Sequence, residues 1–408
     1  MANTIKLGNG TWATKEGSLL AYNDENNNFK PLPFTTTRAS SATVVNKQGL
    51  IETVGSGIPR IDFSDDANGA LLLENSATNL IAYSEDFSNA SWSKGGTSVV
   101  SGVSSPDGAT NAFKLVENAT TGVHSVYRAT PTLGAVDYSY SVFAKASGNT
   151  TFRIQVYDGT HFRYALFNLN TGVAYNETLL NSSDIKLFAN GYYKCSINFT
   201  ASAGVGFSYI QLIDGSNNIS YTGDGTSGVY IYGAQLEQGS YATSYIKTVG
   251  TTQTRVADTA TGSGSSTVIN SSEGVLYAEI SALANDTVTK TISLSDGSSN
   301  NKIELFYFGG VAIYTNVFVG GVSQGFLSKS IDITNYIKVA YSYKLNNTAL
   351  WVNGVKVATD NSVNMPIALS ELNFDNGTGS NPFYGKTKSV QVYTTALSDA
   401  ELTSLTTI

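Results

Sequence analysis

One cysteine in 408 residues, Cys195, takes disulfides out of the argument, because a single thiol cannot close an intrachain bridge. Two histidines, His124 and His161, are too few for a His/Cys zinc cluster, so packing is expected to hold the fold. Charge is sparse as well: Asp, Glu, Lys and Arg make up 13% of the chain, and Lys and Glu, the usual fillers of exposed helix, are scarce. The net charge is −7 and there is no Lys/Arg cluster, so the electrostatic footprint that holds a phosphate backbone is missing. Nucleic acid is therefore not an expected partner. No run of about 18 apolar residues occurs, and the first ten residues lack the apolar stretch of a signal peptide. The expectation is a protein made in the cytoplasm without an export signal and without membrane insertion.

What is abundant is Gly, Ser, Thr, Asn and Tyr, a composition of strands and turns. Aromatics reach 11%, with 24 Tyr, enough large side chains to fill packed cores and to argue against disorder. At roughly 100 to 200 residues per domain the length predicts two or three domains. Tyr138 to Ala144, Phe152 to Tyr157 and Tyr164 to Leu169 alternate at the two-residue period of half-buried strands. Asn170-Thr171-Gly172, Asn190-Gly191 and Asn353-Gly354 mark turns, since Asn and Gly accept the positive φ that hairpins need. One short helix is predicted at the end, where Ser398 and Glu401 form a capping box and Leu397 and Leu402 a hydrophobic staple. The reading is all-β: two tandem antiparallel β-sandwiches, a jelly roll and then a concanavalin A-like sandwich, behind an extended N-terminal segment. Its expected divisions are residues 1–80 as an attachment segment with little core of its own, 81–250 as the first sandwich, 251–273 as a Ser/Gly/Thr-rich linker and 274–408 as the second.

Catalytic motifs fail on context. Gly223-Asp-Gly225-Thr-Ser-Gly228 matches a dinucleotide fingerprint, but a strand, Val229 to Tyr232, follows where a helix is required. Gly321-Val-Ser323-Gln-Gly325 matches a nucleophile elbow, yet both histidines precede the serine. Glu237 and Glu279 read as lone structural carboxylates, and no local carboxylate pair for glycoside cleavage is present, so no enzyme is expected. Asp62, Asp65 and Asp66, with Asn68 before Gly69, offer hard oxygen ligands for a structural Ca²⁺, against the alternative of a plain Asx-rich turn. No other cofactor is expected. Tyr157, Asp158, His161, Phe162 and Tyr164 gather at one predicted hairpin, a mixture suited to stacking on a sugar ring while polar groups read its hydroxyls. Trp351, alternating with Leu350 and Val352, is expected to point away from the core as a second platform. Strand aromatics also serve packing, and both readings stand at this level.

A resemblance extends over nearly the whole chain. Thr37-Arg38-Ala-Ser-Ser-Ala-Thr43, Gly49-Leu-Ile51, Pro59-Arg60-Ile-Asp62-Phe63, Gly69-Ala-Leu-Leu-Leu-Glu74, Thr78-Asn-Leu80 and Tyr83-Ser-Glu-Asp-Phe87 look like the leader of bacteriophage fibre and tail-appendage proteins. Gly191 to Ile197, Gly233 to Glu237, Ala242 to Ile246 and Thr254-Arg255-Val-Ala-Asp258 resemble the carbohydrate-binding-module-like jelly roll that follows it. The block from Gly274 onward is similar to concanavalin A-like or laminin G-like sandwiches. The resemblance implies a head or tail fibre on the virion surface that adsorbs to host-surface glycan and contacts other phage virion proteins through its N-terminal segment. Trp12 and Phe29 are the expected anchors of that attachment, Trp12 alternatively packing back on the first sandwich. Appendage geometry adds the expectation of a homotrimer, in which weak sites act through avidity. The rival readings are a glycan-degrading tail enzyme and a purely structural decoration protein.

Overall fold

Two-residue alternation decides the architecture. In the computed structural model, which describes residues 4–15, 18–23 and 30–408, almost every element is an antiparallel strand, and Asp399–Thr406 is the one α-helix among the described residues. No helix among them is long and apolar enough to cross a membrane. The chain forms two compact units. An inserted unit comprises Ala42–Thr53 and Ser76–Arg255, and a flanking unit comprises Met1–Ser41, Val54–Asn75 and Val256–Ile408.

The inserted unit is a sandwich of two six-stranded sheets. The first runs Ser93–Gly95, Ser125–Ala129, Phe207–Leu212, Thr151–Tyr157, Phe162–Asn168, Val173–Thr178. The second runs Thr97–Val103, Ala112–Glu117, Gly228–Gln238, Asp137–Ser147, Tyr193–Thr200, Ser182–Leu187. Alternate residues of both, including Phe152, Ile154, Val156, Ile210 and Leu212 from the first and Tyr140, Val142, Cys195, Ile197 and Ile231 from the second, make one buried core. Burial pushes the Cys195 thiol up, which suits an inert core residue. The Gly223–Gly228 stretch is a loop ending in a strand, as its sequence context predicts, and Gly228 has its own reason: a Cβ there would lie 1.8 Å from the Leu115 carbonyl oxygen.

The flanking unit is also a sandwich. Its larger sheet runs Ala13–Lys15, Ser18–Asn23, Ile5–Gly8, Gly385–Tyr393, Glu273–Ala282, Ile337–Lys344, Thr348–Val352, Val355–Asp360, with Ala70–Leu73 also paired to Gly385–Tyr393. A five-stranded sheet, Val322–Ser330, Ala312–Val319, Lys302–Phe308, Lys290–Ser295, Glu371–Asn373, supplies the other layer. Leu276, Ile280, Val339, Val390 and Val392 meet Ile292, Leu294, Ile303 and Leu305 in a common core. The helix begins as its sequence signals: Glu401 Oε2 accepts from the Ser398 N–H at 2.8 Å, and Leu397 and Leu402 are both buried.

Two expected boundaries are corrected. Residues 1–80 do not form an extended segment lacking a core, because Ile5, Leu7, Leu19, Ala21 and Phe34 are buried in the flanking core. Strand Ile5–Gly8 pairs with Gly385–Tyr393, Ile5 opposite Val392, so its partner lies at the far end of the chain and short strands this remote show no pattern of their own. Burying each large aliphatic side chain contributes roughly 1.5 to 3 kcal/mol, which gives the segment a core within its own chain. Nor is 251–273 a linker: Thr259–Thr261 pairs with Thr35–Thr37, and Val268 and Ile269 are buried. Its Thr254, Thr259 and Thr261 lie in paired strands, Gln253–Arg255 and Thr259–Thr261.

The charges of this region are equally internal. Arg60 donates to Glu74 Oε2 at 2.6 Å and pairs with Asp258, while Arg38 meets the other Asp258 oxygen at 2.9 Å, all four residues being buried. Burial lowers the tendency of Arg60 to hold its proton, but Glu74 and Asp258 outweigh that and raise it. Two cations and two anions cancel, the condition under which buried charge is tolerated.

Candidate glycan-binding face

With Phe152, Ile154 and Val156 turned into the core of the inserted unit, Arg153, Gln155 and Tyr157 must point outward from the first sheet. The same rule turns Tyr127, Phe207, Tyr209, Gln211, Phe162 and Tyr164 to that face, because their neighbours Val126, Ile210, Leu212 and Ala165 are core. Register aligns them in rows across the strands. Tyr127 lies opposite Tyr209, Tyr209 opposite Gln155, and Gln155 opposite Tyr164, while Phe207, Tyr157 and Phe162 make the adjacent row. The Tyr127 and Tyr209 rings are stacked, 5.2 Å between centroids and 24° between planes. Phe207 meets Tyr127 edge-on at 6.0 Å, and Tyr157 lies 4.7 Å from Phe162.

Phe162 is 51% exposed and Phe207 38%, so apolar ring surface is left open. Under this aromatic shelf lie two buried amides, Gln155 and Gln211, whose Oε1 atoms have no hydrogen-bond partner among the described residues. The Arg153 guanidinium lies 3.7 Å over the Tyr164 ring. Burial raises the Tyr209 phenol, and Tyr127 and Tyr157 beside it add to the shift. The strands Ser125–Ala129, Phe207–Leu212, Thr151–Tyr157 and Phe162–Asn168 contain no Asp or Glu. Stacking rings, hydroxyl and amide hydrogen-bonding groups and one cation are what this surface offers.

Of the expected sugar contacts, Tyr157 and Tyr164 lie on this face and Asp158 does not. The Asp158 carboxylate is buried in the turn, accepting from Thr160 N at 3.0 Å, His161 N at 2.8 Å, Ser202 N at 2.9 Å and Arg163 Nε at 2.6 Å. Burial alone would raise its pKa, but these four donors outweigh it and bring the carboxyl down to about 2. It staples the hairpin and has no lone pair to spare for a hydroxyl. His161 is exposed in the same turn, with Nδ1 3.2 Å from Ser202 Oγ. Tyr127, Phe207, Tyr209, Arg153, Gln155 and Gln211 escaped the sequence reading. The alternation Phe207-Ser-Tyr209-Ile-Gln211 and Arg153-Ile-Gln155-Val-Tyr157 was visible, but that these strands are neighbours was not.

Three other expectations are corrected. Trp351 does point away from the flanking core, but its ring is only 5% exposed, packed with Leu397 and Leu402 of the C-terminal cap. A helix, not a sugar, covers it. Asp62, Asp65 and Asp66 hold lysines in place of Ca²⁺: Lys386 Nζ reaches Asp62 Oδ1 at 3.0 Å and also pairs with Asp65, and Lys388 lies 2.8 Å from Asp66. Two ammonium groups already offset two of the three negative charges of the turn. Trp12 is half-buried against the flanking core, its indole N–H donating to the Asn68 carbonyl at 2.8 Å, so it is anchored within its own unit. Phe29 lies outside the described residues. Glu237 is buried in the inserted unit, accepting from Thr243 N at 2.8 Å and Gln235 Nε2 at 2.7 Å, a structural role.

No family model and no curated protein matches the chain. Among solved structures, the sialidase carbohydrate-binding module CBM40 of Ruminococcus gnavus bound to α2,3-sialyllactose aligns at 17% identity and a TM-score of 0.31, over 36% of this chain and 93% of that one. Domain 4 of a GH43 arabinanase from Geobacillus stearothermophilus, in complex with arabinotriose, aligns at 16% and 0.30 over 37% and 73%. Domains LG4-5 of the mouse laminin α1 chain align at 10% and 0.24 over 69% and 90%. Values this low carry no argument about ligand, and the all-β sandwich fold rests on the chain's own sheets.

Proposed function

We propose that the outer face of the first sheet of the inserted unit binds glycan, and that the protein acts as a non-enzymatic virion appendage adsorbing to host-surface polysaccharide. The observation that carries the binding reading is the combination of partly exposed rings, Tyr127 stacked on Tyr209 with Phe207, Tyr157 and Phe162 beside them, with buried amide oxygens that have no partner among the described residues. Sugar rings present apolar C–H faces to such rings and hydroxyls to such amides. The absence of Asp and Glu from the four central strands supports binding over cleavage at this face, since glycoside hydrolysis needs two carboxylates about 5 to 10 Å apart. The virion assignment rests on the ordered leader-like motifs alone, and the homotrimer on appendage geometry.

Tyr209→Ala should weaken retention in affinity electrophoresis on immobilised host polysaccharide by about tenfold while leaving the thermal unfolding transition within a few degrees. Unchanged retention would remove this face from the reading. Release of reducing ends from the same polysaccharide would make the protein an enzyme, and absence of the chain from purified particles by mass spectrometry would end the appendage assignment.

A further inference from the structure

Arg38 and Arg60 are met by Asp258 and Glu74, Arg163 by Asp158, and Arg255 donates to the Thr243 and Ser244 hydroxyls. Arg128 lies over the Trp92 ring, its buried Nη1 without a partner among the described residues, and on the outer face of the first sheet Arg153 likewise meets no carboxylate. Its guanidinium rests on the Tyr164 ring, and it makes no hydrogen bond or ion pair among the described residues, with Nε buried. Across the strands its neighbours are Gln211 and Leu166, and the next outward residue on its own strand is Gln155. Both glutamines keep an unpartnered Oε1 in the same patch. No carboxylate comes from the four central strands, although acidic residues outnumber basic ones in the chain as a whole, 31 against 24.

A guanidinium stays charged at any working pH, and a partly buried one without a counter-ion is costly. The missing charge fits a ligand. The planar fork of Arg matches a carboxylate with two parallel N–H···O bonds, and its seat on Tyr164 holds that fork in place before binding. Stacked rings one row away accept the apolar face of a sugar, and the amide oxygens accept its hydroxyls. We infer that this face is selective for a carboxylated saccharide, a uronic or nonulosonic acid, with the sugar carboxylate on Arg153 and the ring against Tyr209 and Tyr127. The inference rests on the glycan-binding reading above and adds the charge class of the sugar.

Calorimetric titration of the full chain with tetragalacturonate and with an α2,8-linked N-acetylneuraminate tetramer, each beside its methyl ester, separates the two sources of the carboxylate. At least one acid should bind about tenfold or more tighter than its ester, more weakly as NaCl is raised. Arg153→Gln should bring acid and ester to within about twofold, and Arg153→Lys, which keeps the charge without the fork, should retain part of the preference. The melting transition of both variants reports that the sheet is intact. Equal binding of acids and esters, or a preference that survives in Arg153→Gln, overturns the inference. If neutral oligosaccharides bind, depend on Tyr209, and the acids do not bind, the acidic specificity falls and the glycan-binding reading stands. If no oligosaccharide of either kind binds, both fall.

Discussion

Both outer faces of the inserted unit are rich in aromatic side chains, yet the chain covers one and leaves the other open. On the second sheet, Phe143, Tyr232 and Ala112 are buried with Ile51, Tyr192 and Tyr245. The Tyr232 hydroxyl donates to Glu85 at 2.9 Å, Tyr245 to the same carboxylate oxygen at 3.2 Å, and Lys247 closes the group with an ion pair to Glu85 at 2.7 Å. Even the backbone is tailored: Gly233 takes φ +62°, and a Cβ there would press on the Phe143 and Tyr245 rings at 3.1 Å. On the first sheet Phe162 and Phe207 are exposed, and the amide oxygens and the arginine have no hydrogen-bond or ion-pair partner among the described residues. Aromatic content is shared, so it does not mark a site. What separates the two faces is how far the rings are covered: Phe143, Tyr192, Tyr232 and Tyr245 are buried, whereas Phe162 and Phe207 meet solvent.

Deleting one ring from each face should give the widest difference in stability. Phe143→Ala should cost about 3 to 5 kcal/mol in urea unfolding, because it empties a fully enclosed position. Phe207→Ala should cost below about 1 kcal/mol, since its ring already meets solvent. Equal losses would mean that the open face is also structural. Arginine offers a second contrast, this time between units. Arg60→Met leaves Glu74 and Asp258 buried with Arg38 alone and should destabilise the flanking unit by about 3 to 5 kcal/mol. Arg153→Gln should change stability by no more than about 1 kcal/mol, as it gives up the contact with the Tyr164 ring but breaks no ion pair.

The smallest effect is a pH dependence at the rim of the open face. Asp158 holds a carboxyl brought down to about 2, against roughly 3.9 for an unfolded aspartate. A depressed folded pKa contributes stability that is fully present above about pH 4 and is lost as the pH falls through about 2, on the order of 2 kcal/mol. Asp158→Asn should therefore lower the unfolding midpoint at pH 6 and narrow the gap to the native chain as the buffer approaches pH 2. A constant gap across that range would show that Asp158 does not hold the hairpin through its charge.

Much of the local structure was legible. The strands at Tyr138, Phe152 and Tyr164, the Asn353-Gly354 turn and the capped helix at Ser398 follow from periodicity and turn chemistry, which act over a few residues. The ordered leader-like motifs were legible as motifs but not as a device: Arg38, Arg60 and Glu74, from three of them, meet Asp258 of the 254–258 motif in one buried ion network. That network gives these residues a structural task within the flanking unit.

That the chain is all-β, and which side chains of a given strand share a face, follows from local alternation, because side-chain direction reverses with every residue. Which strands became neighbours, and which faces were then covered, depended on long-range packing. Ile5 found Val392, Leu402 covered Trp351, and Tyr127, Tyr209 and Arg153 kept part of their surface open. Pairings between residues hundreds of positions apart depend on the summed burial of many strands, which no window of the sequence contains.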